Sequence, residues 1–428
     1  MRASLSDRAL ILRAFGATLW RSRKAQSRAG FEAWQQQALE HWLVHDLPRV
    51  PFYRDAAARL ADLPVITKSD VMADFHAFNA QGITAAQGWE AYEGSGQIND
   101  INIGASTGTS GQRSLYAITR QERFWWLGTI LAKALPGFLW RREKVAVVLP
   151  QASVLYDGAN AAGPLSLRFF DLMSGPEVWG PALSAFGPTT LVAPPRVLRL
   201  LAENGPSITP RTLFSGGETL DPVDRAVIEA GFARPLGQIY MASEGLLGVS
   251  CAHGTLHLAE DANHFELEPF GEGLVSPLIT SFRRRFQIMA RYRMNDLLRL
   301  APTPCPCGSP LRAVAEIVGR SDDAFEMPGR AGAKVLVTPD VLRNCVLGAS
   351  RAIADFRLTR RGPSWLEITL PPTGPADLDK SVIQAVNTCL AGFGVTAQIT
   401  VLRANMPFDA TQKLRRIRDL CSEESRIP

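Results

Sequence analysis

At 428 residues the chain is long enough for two or three domains, and 46% hydrophobic with 20% charged residues excludes a disordered or fibrous protein. A net charge of +5, with a pI near 9.0, suits an anionic ligand and does not call for nucleic acid. The N-terminal stretch, residues 1–26, is basic and amphipathic, without the apolar run and cleavage site of a signal peptide. It predicts a helix packed on the main domain, with a peripheral membrane contact as the other reading. Six cysteines and no export signal make the cytoplasm the default compartment.

Residues 30–48 predict a second helix, which "LPRVPFYRD" breaks with Pro48 and Pro51. The most apolar window, 124–140, is short for a membrane span and is interrupted by Lys133 and Pro136, so it predicts a buried helix. From residue 143 strands and helices alternate. "KVAVVLP" (144–150), "TTLVAPP" (189–195), "RTLFSGG" (211–217) and "PLGQIYM" (235–241) read as strands. "RVLRLLAENG" and "LDPVDRAVIEAGF" read as helices, the latter with Asp221 as N-cap, Pro222 at the first position and Gly231 at its end. This predicts an α/β fold: a large N-terminal domain (1–321) with mostly parallel sheet flanked by helices, its first hundred residues helical, and a small mobile α+β domain (322–428). Ligands of such sheets lie beyond the carboxyl ends of the strands, which directs attention to the glycine-rich segments after 215 and 241.

Four polar segments stand out. "ASTGTSGQRS" (105–114) has the backbone freedom and hydroxyls to wrap a phosphate chain, although Gln112 and Arg113 replace the Lys-Ser/Thr of a P-loop. A plain surface loop is the competing reading. It joins the strand-like "INDINIGA" to a helix-bearing segment that opens with a Thr119/Glu122 capping box. "FSGGETL" (214–220) and "QIYMASEG" (238–245) each follow a strand; Glu244 is a candidate ligand for Mg2+ and Tyr240 for stacking on a purine, against a solvated glutamate and a core tyrosine. In "ARYRMNDLLRL" (290–300) Asp296 can accept from two ribose hydroxyls, against a surface ion-pair cluster. Separately, Cys251, His253 and His257 in "CAHGTLH" and Cys305 and Cys307 in "CPCG" supply zinc-type ligands, with Cys251, His257, Cys305 and Cys307 the first choice. The alternative is a Pro-Gly turn with reduced thiols.

Taken in order, these segments, "GRSDD" (319–323) and "TQKLRRI" (411–417) resemble the adenylate-forming superfamily of acyl-CoA synthetases, from about residue 100 to 417. The resemblance points to the phenylacetate–CoA ligase branch and its deazaflavin-adenylylating relatives, and "CPCGSPLRAVAEIVGRSDD" is particularly similar to that branch, some of whose members carry a metal site there. It implies that Ser106, Thr107, Gly108, Thr109, Ser110 and Gly111 hold the β- and γ-phosphates of ATP, and that Gly216, Gly217 and Glu218 line the adenine. Tyr240 would stack on the base, Met241, Ala242 and Ser243 join the nucleotide site, Glu244 ligate Mg2+, and Asp296 bind the ribose. Arg320 would sit at the domain junction, Asp322 (or Asp323) act as hinge, and Lys413 reach the α-phosphate. Leu149, Tyr156 and Phe214 would line an apolar pocket for an aromatic or aliphatic acid.

The implied reaction is ATP-dependent formation of an acyl-adenylate, then transfer to CoA or to the phosphopantetheine of an acyl carrier protein. Transfer of AMP itself, or amide formation, is the alternative. A nucleotide-binding scaffold is the non-enzymatic one, and retention of Glu244 and Lys413 argues against it. The sequence departs from the family at Gln112-Arg113-Ser114, where Pro and Lys are usual and Arg113 can stand in for the cation. It departs again at Met241-Ala242 and at Met294-Asn295 before Asp296.

Overall fold

The computed structural model describes residues 4–23, 26–56, 59–106, 113–150, 165–205, 207–409 and 413–421. The chain divides into two compact units. The first comprises Met1–Leu220, Asp224–Met294 and Arg299–Glu316; the second comprises Asp221–Val223, Asn295–Leu298 and Ile317–Pro428. The main division thus falls shortly before the 321/322 boundary read from the sequence, and two short motif segments go with the second unit.

The first unit opens with helices α1 (Leu5–Ser22), α2 (Arg28–His45), α3 (Lys68–Ala73) and α4 (Ala85–Glu93). α1 starts at a capping box in which Ser4 and Asp7 satisfy each other's backbone N–H groups. α2 ends at His45, and the two prolines behind it each begin a single 3-10 turn, Leu47–Arg49 and Pro51–Tyr53. A three-stranded antiparallel sheet follows: β1 (Gln97–Ile98), β2 (Ile101–Ala105) and β3 (Leu115–Thr119). β2 and β3 pair antiparallel, so β3 is interposed between the 105–114 segment and the helix. That helix, α5 (Arg120–Ala134), begins at the Thr119/Glu122 capping box. It stops two residues before Pro136, so the 124–140 window is not one buried helix: Phe138 is buried but Trp140 is 77% exposed.

The large sheet begins with β4 (Glu143–Leu149), β5 (Leu165–Asp171), β6 (Thr190–Ala193), β7 (Thr212–Gly216) and β8 (Leu236–Ala242). These five pair in parallel in the order β8-β7-β6-β4-β5, joined by helices α6 (Pro176–Phe186), α7 (Pro195–Glu203) and α8 (Pro222–Phe232). Beyond β8 the sheet continues through β9 (Gly245–Ser250), β10 (Leu256–Leu258), β11 (His264–Gly271), β12 (Leu274–Thr280), β13 (Tyr292–Arg293), β14 (Asp296–Leu300) and β15 (Ala313–Arg320). The pairs β8/β9, β9/β10, β10/β15, β11/β12 and β12/β13 are antiparallel, a half of the sheet that the strand–helix alternation did not reveal.

α8 starts at Pro222, directly after Asp221, as read from the sequence, and one detail differs. Gly231 lies inside the helix, where a Cβ would come within 2.7 Å of the Ala202 Cβ, so its role is close helix packing against α7 and not termination. Asp221 has its carboxylate engaged by Arg343 and Arg416 within the second unit.

The core of the first unit joins α1 and α5 to the strands, with Ile11, Phe15, Phe124, Phe138, Val145 and Phe214 among its members. Each fully buried aromatic or aliphatic side chain of this kind stabilises by roughly 1.5–3 kcal/mol. The two helices cross at Gly128, where a Cβ would lie 2.3 Å from the Ile11 carbonyl oxygen.

The second unit contains a hairpin, β16 (Phe325–Pro328) with β17 (Lys334–Val337), and helix α9 (Pro339–Ala349). Strands β18 (Arg357–Gly362) and β19 (Trp365–Leu370), helix α10 (Leu378–Gly392), and strands β20 (Gln398–Arg403) and β21 (Ile417–Asp419) complete it. Its sheet has the order β20-β19-β18-β21. A disulfide, Cys345–Cys389, links α9 to α10, which the cysteine count had not suggested. Arg360 closes β18 onto β21 through a two-pronged, buried pair with Asp419 at 2.9 and 2.6 Å.

Candidate active site and metal centre

The parallel strands deliver their polar residues to one edge because each ends where its glycines begin. β7 ends at Gly216, and Gly217 adopts φ +82°, a conformation open chiefly to glycine. Its Cα hydrogen faces Leu149 at the end of β4, where a Cβ would come within 3.8 Å of a Leu149 methyl. Glu218 does not present its carboxylate to this edge as a free group: it is buried and held by Arg196 at 2.9 Å. Phe214 is buried in the core, its ring filling the space that Gly237 leaves open.

The β8/β9 hairpin carries the next motif. Tyr240 is buried opposite Gly248, and a bulge between Tyr240 and Met241 re-aims the strand before its tip. Met241 and Ala242 are half-buried. Ser243 and Glu244 form the tip, the Ser243 hydroxyl donating to Glu244 Oε2 at 3.1 Å. Glu244 and Ser243 open into a cleft shared with Ser114, Tyr116, Tyr292 and Lys68. Lys68 sits at the start of α3, and the sequence reading did not single it out: no periodicity or motif links it to Glu244.

Ser114 belongs to the exit of the glycine-rich segment. The hairpin base is closed by the Ser106 N–H donating to the Ser114 carbonyl at 2.8 Å and by the Ser114 N–H donating to Ser106 Oγ at 2.8 Å. Thr107, Gly108, Thr109, Ser110 and Gly111, together with Tyr156, lie outside the described residues. Arg113 is cradled by α4: its guanidinium lies 5.3 Å from the Trp89 ring and 5.1 Å from Tyr92, and it donates to the Tyr92 hydroxyl at 2.9 Å.

The remaining motif residues fall in the second unit. Asp296 begins β14, and the preceding Asn295 donates to Asp322 Oδ2 at 2.9 Å while accepting the Ser321 N–H at 2.7 Å. Arg320 ends β15, next to the 3-10 turn Ser321–Asp323. Asp323 is buried, which pushes its carboxyl above the usual range despite the opposing Arg415 guanidinium bonded to it. Lys413 is half-buried, and the arginines behind it are anchored: Arg415 on Asp323, Arg416 on Asp221 and on Asp355, the last at 2.9 Å.

The cysteine and histidine candidates converge. Cys251 follows β9, His257 lies on β10, and Cys305 and Cys307 occupy a turn closed by the Gly308 N–H donating to the Cys305 carbonyl. One ligand atom from each lies within 4.8 Å of all the others. His253, the other candidate, is exposed in the β9–β10 turn. A tetrahedral zinc ion with Zn–S bonds of ~2.3 Å sets S···S edges of about 3.8 Å and S···N edges of about 3.6 Å. The Cys251–Cys305 sulfur pair is 3.7 Å apart, and Cys307 Sγ is 3.3 Å from His257 Nε2.

The His257 Nδ1 is bonded to the Leu311 carbonyl at 3.0 Å, which fixes the tautomer that leaves Nε2 for an ion. Burial opposes ionisation of Cys305, but hydrogen bonds from Thr255, Cys307 and His257 bring its thiol down to about 6. Burial and the adjacent Cys305 push Cys307 up to about 11. The four residues fit zinc in ligand type, spacing and second-layer bonding.

No family model matches the chain. A phenylacetate–coenzyme A ligase of Thermus thermophilus is 24% identical, over 92% of this chain and 97% of that protein. Among solved structures, 2-hydroxyisobutyryl-CoA ligase in the postadenylation state superposes with a TM-score of 0.70 at 18% identity, covering 95% of this chain and 92% of that one. A benzoate CoA ligase from Burkholderia xenovorans LB400 gives 0.50 at 16% identity, covering 72% and 66%. The fold is that of the adenylate-forming ligases. Within that class the sequence similarity extends, over nearly the whole chain, to a protein named as a phenylacetate–CoA ligase.

Proposed function

We propose that the protein activates a carboxylic acid with ATP, releasing pyrophosphate, and passes the acyl group from the acyl-adenylate to the thiol of CoA. The observation that carries this reading is the cleft in which Ser114, Lys68, Ser243 and Glu244 meet at the glycine-rich edge of the sheet. The whole-length similarity to a protein named as a CoA ligase supports it.

In this reading the N–H groups around Ser106 and Ser114 and the hydroxyls between them bind the β- and γ-phosphates, with Arg113 held ready by its aromatic cradle. Tyr240 and the Gly216–Gly217 backbone receive the adenine, and Asp296 accepts from the ribose. The buried Glu244 carboxylate fits a hard cation, and Mg2+ bound there would offset the charge of the leaving pyrophosphate. The acid's carboxylate oxygen attacks the α-phosphorus as the bond to pyrophosphate breaks, and Lys413 offsets the charge that builds on the transferred oxygens. Thiol attack then breaks the mixed anhydride and releases AMP. Leu149 favours an apolar acid. Phosphopantetheine on a carrier protein is the same thiol chemistry and would serve as acceptor in place of CoA. Zinc in the Cys251/His257/Cys305/Cys307 cluster would clamp the β9–β10 hairpin to the 305–308 turn as a closed structural site.

The test is acid-dependent exchange between ATP and radiolabelled pyrophosphate, run over aromatic and aliphatic acids. Exchange should appear with at least one acid class and fall roughly 100- to 1000-fold in Lys413→Ala, the usual effect of losing one such charge-stabilising group. Protein that binds ATP yet gives no exchange with any acid, while transferring AMP to another acceptor, would replace this reading with adenylyl transfer.

A further inference from the structure

Helix α1 has two apolar faces. One, including Ile11, Ala14 and Phe15, is buried against the core of the first unit. The other is exposed: Leu5 (83%), Leu12 (49%) and Trp20 (59%) follow helical spacing, with the exposed Ala9 and Gly16 between them. The turn after α5 adds Leu139 and Trp140. Phe138 meets Phe15 edge-on at 5.0 Å, which sets that turn beside α1. These five side chains make up much of the large-hydrophobic exposure: twelve such residues are exposed among those described. Apolar surface gathered in this way marks an interaction site.

The charge on the same face has one sign. Arg8, Arg13, Arg141 and Arg142 are exposed, and the Arg23 guanidinium lies 3.3 Å from the centroid of the Trp20 ring. The one carboxylate of α1, Asp7, is turned inward and bonded to Arg120. Both tryptophans of this face are followed by arginine, in "LWRS" and "LWRR".

We propose that this face docks the protein on an anionic lipid surface. Tryptophan and leucine suit the boundary between headgroups and acyl chains, and arginine suits the lipid phosphates above it. A second copy laid two-fold on this face would set these arginines against their own counterparts, whereas a lipid sheet presents phosphate to every one. No helix among the described residues is long and apolar enough to cross a membrane, so the contact is peripheral.

The test is flotation of the full-length protein with phosphatidylcholine vesicles, with and without phosphatidylglycerol, alongside light scattering for oligomeric state. The protein should float with the phosphatidylglycerol vesicles alone, show a blue shift of tryptophan emission there, and be released by high salt. Arg141→Ala/Arg142→Ala should weaken binding roughly 25-fold, at about fivefold per basic residue at such a surface. Trp20→Ser/Trp140→Ser should abolish the blue shift. Both variants should keep wild-type circular dichroism and pyrophosphate exchange in solution. The wild-type comparison of the two vesicle types stands even if a variant fails to fold. Failure to float with either vesicle, equal binding to both, or a dimer that Trp20→Ser/Trp140→Ser dissociates would each overturn the proposal, the last in favour of a protein partner.

Discussion

Replacing His257 by alanine gives a direct test of the metal centre. The ring is 5% exposed, bonded through Nδ1 to the Leu311 carbonyl at 3.0 Å and facing Cys307 Sγ through Nε2 at 3.3 Å. Truncation leaves the Leu311 carbonyl without this partner, which costs about 1–3 kcal/mol with or without metal. The metal contribution is separate: an ion in 1,000-fold excess over its dissociation constant stabilises the native state by ~4 kcal/mol, and one lost ligand of four removes most of that. Purified wild-type protein should therefore carry about one zinc per chain, in the closed four-ligand manner. Its thermal midpoint should fall on adding a strong chelator. The His257→Ala protein should carry little zinc, melt at or below the chelated wild type, and ignore the chelator. Cobalt substitution should give thiolate charge-transfer bands in the wild type and weaker, altered ones in the variant. Wild-type protein that is folded, free of metal, and indifferent to both chelator and added zinc would refute the assignment and leave the cluster as buried reduced thiols.

Arg120 hydrogen-bonds Asp7 and holds its carboxyl at about 2, against an ordinary 3.8, so the stability this pair contributes is present above pH 3.8 and lost as pH falls through about 2. The stability difference between wild type and Asp7→Asn should accordingly be constant near neutrality and shrink across that acid window in urea melts. Gly128→Val should force α1 off α5, because even a Cβ would lie 2.3 Å from the Ile11 carbonyl oxygen; urea melts should show a loss of about 1–3 kcal/mol or more, with earlier proteolysis of the N-terminal segment. Arg416→Ala should cost ~3–5 kcal/mol in the second unit, since it strips a buried guanidinium from Asp221 and Asp355, and a wild-type-like denaturation curve would contradict the buried network. If the 3-10 turn Ser321–Asp323 is a hinge, as we propose, Asp322→Pro, which fixes φ there, should leave adenylate formation intact and impair thioester formation; equal losses of the two half-reactions in rapid-quench kinetics would refute the hinge.

Several features were determined by the sequence alone, because their causes are local. The capping box at Thr119 acts over three residues, and the apolar runs of β4, β6, β7 and β8 are bounded by their own glycines and prolines. The zinc-type cluster was legible for another reason: thiols and imidazoles are few in this chain, and the four that converge fall in two short segments, "CAHGTLH" and "CPCG".

What only the tertiary structure decided rests on contacts between distant residues, for which local pattern carries no signal. Gly231 reads as a helix end until Ala202 is seen against it, and Lys68 reads as a surface lysine until α3 brings it to the cleft of Glu244. In the antiparallel half of the sheet β10 and β13 are only three and two residues long, too short for a periodicity to register, and the pairing of the longer β11, β12 and β15 is set by contacts between distant residues. Glu218 belongs to a polar motif and Asp221 to a helix start, yet buried arginines from elsewhere in the chain claim both carboxylates. A buried charge must be neutralised by whatever the fold brings to it, and that partner is chosen by chain topology and not by neighbouring sequence.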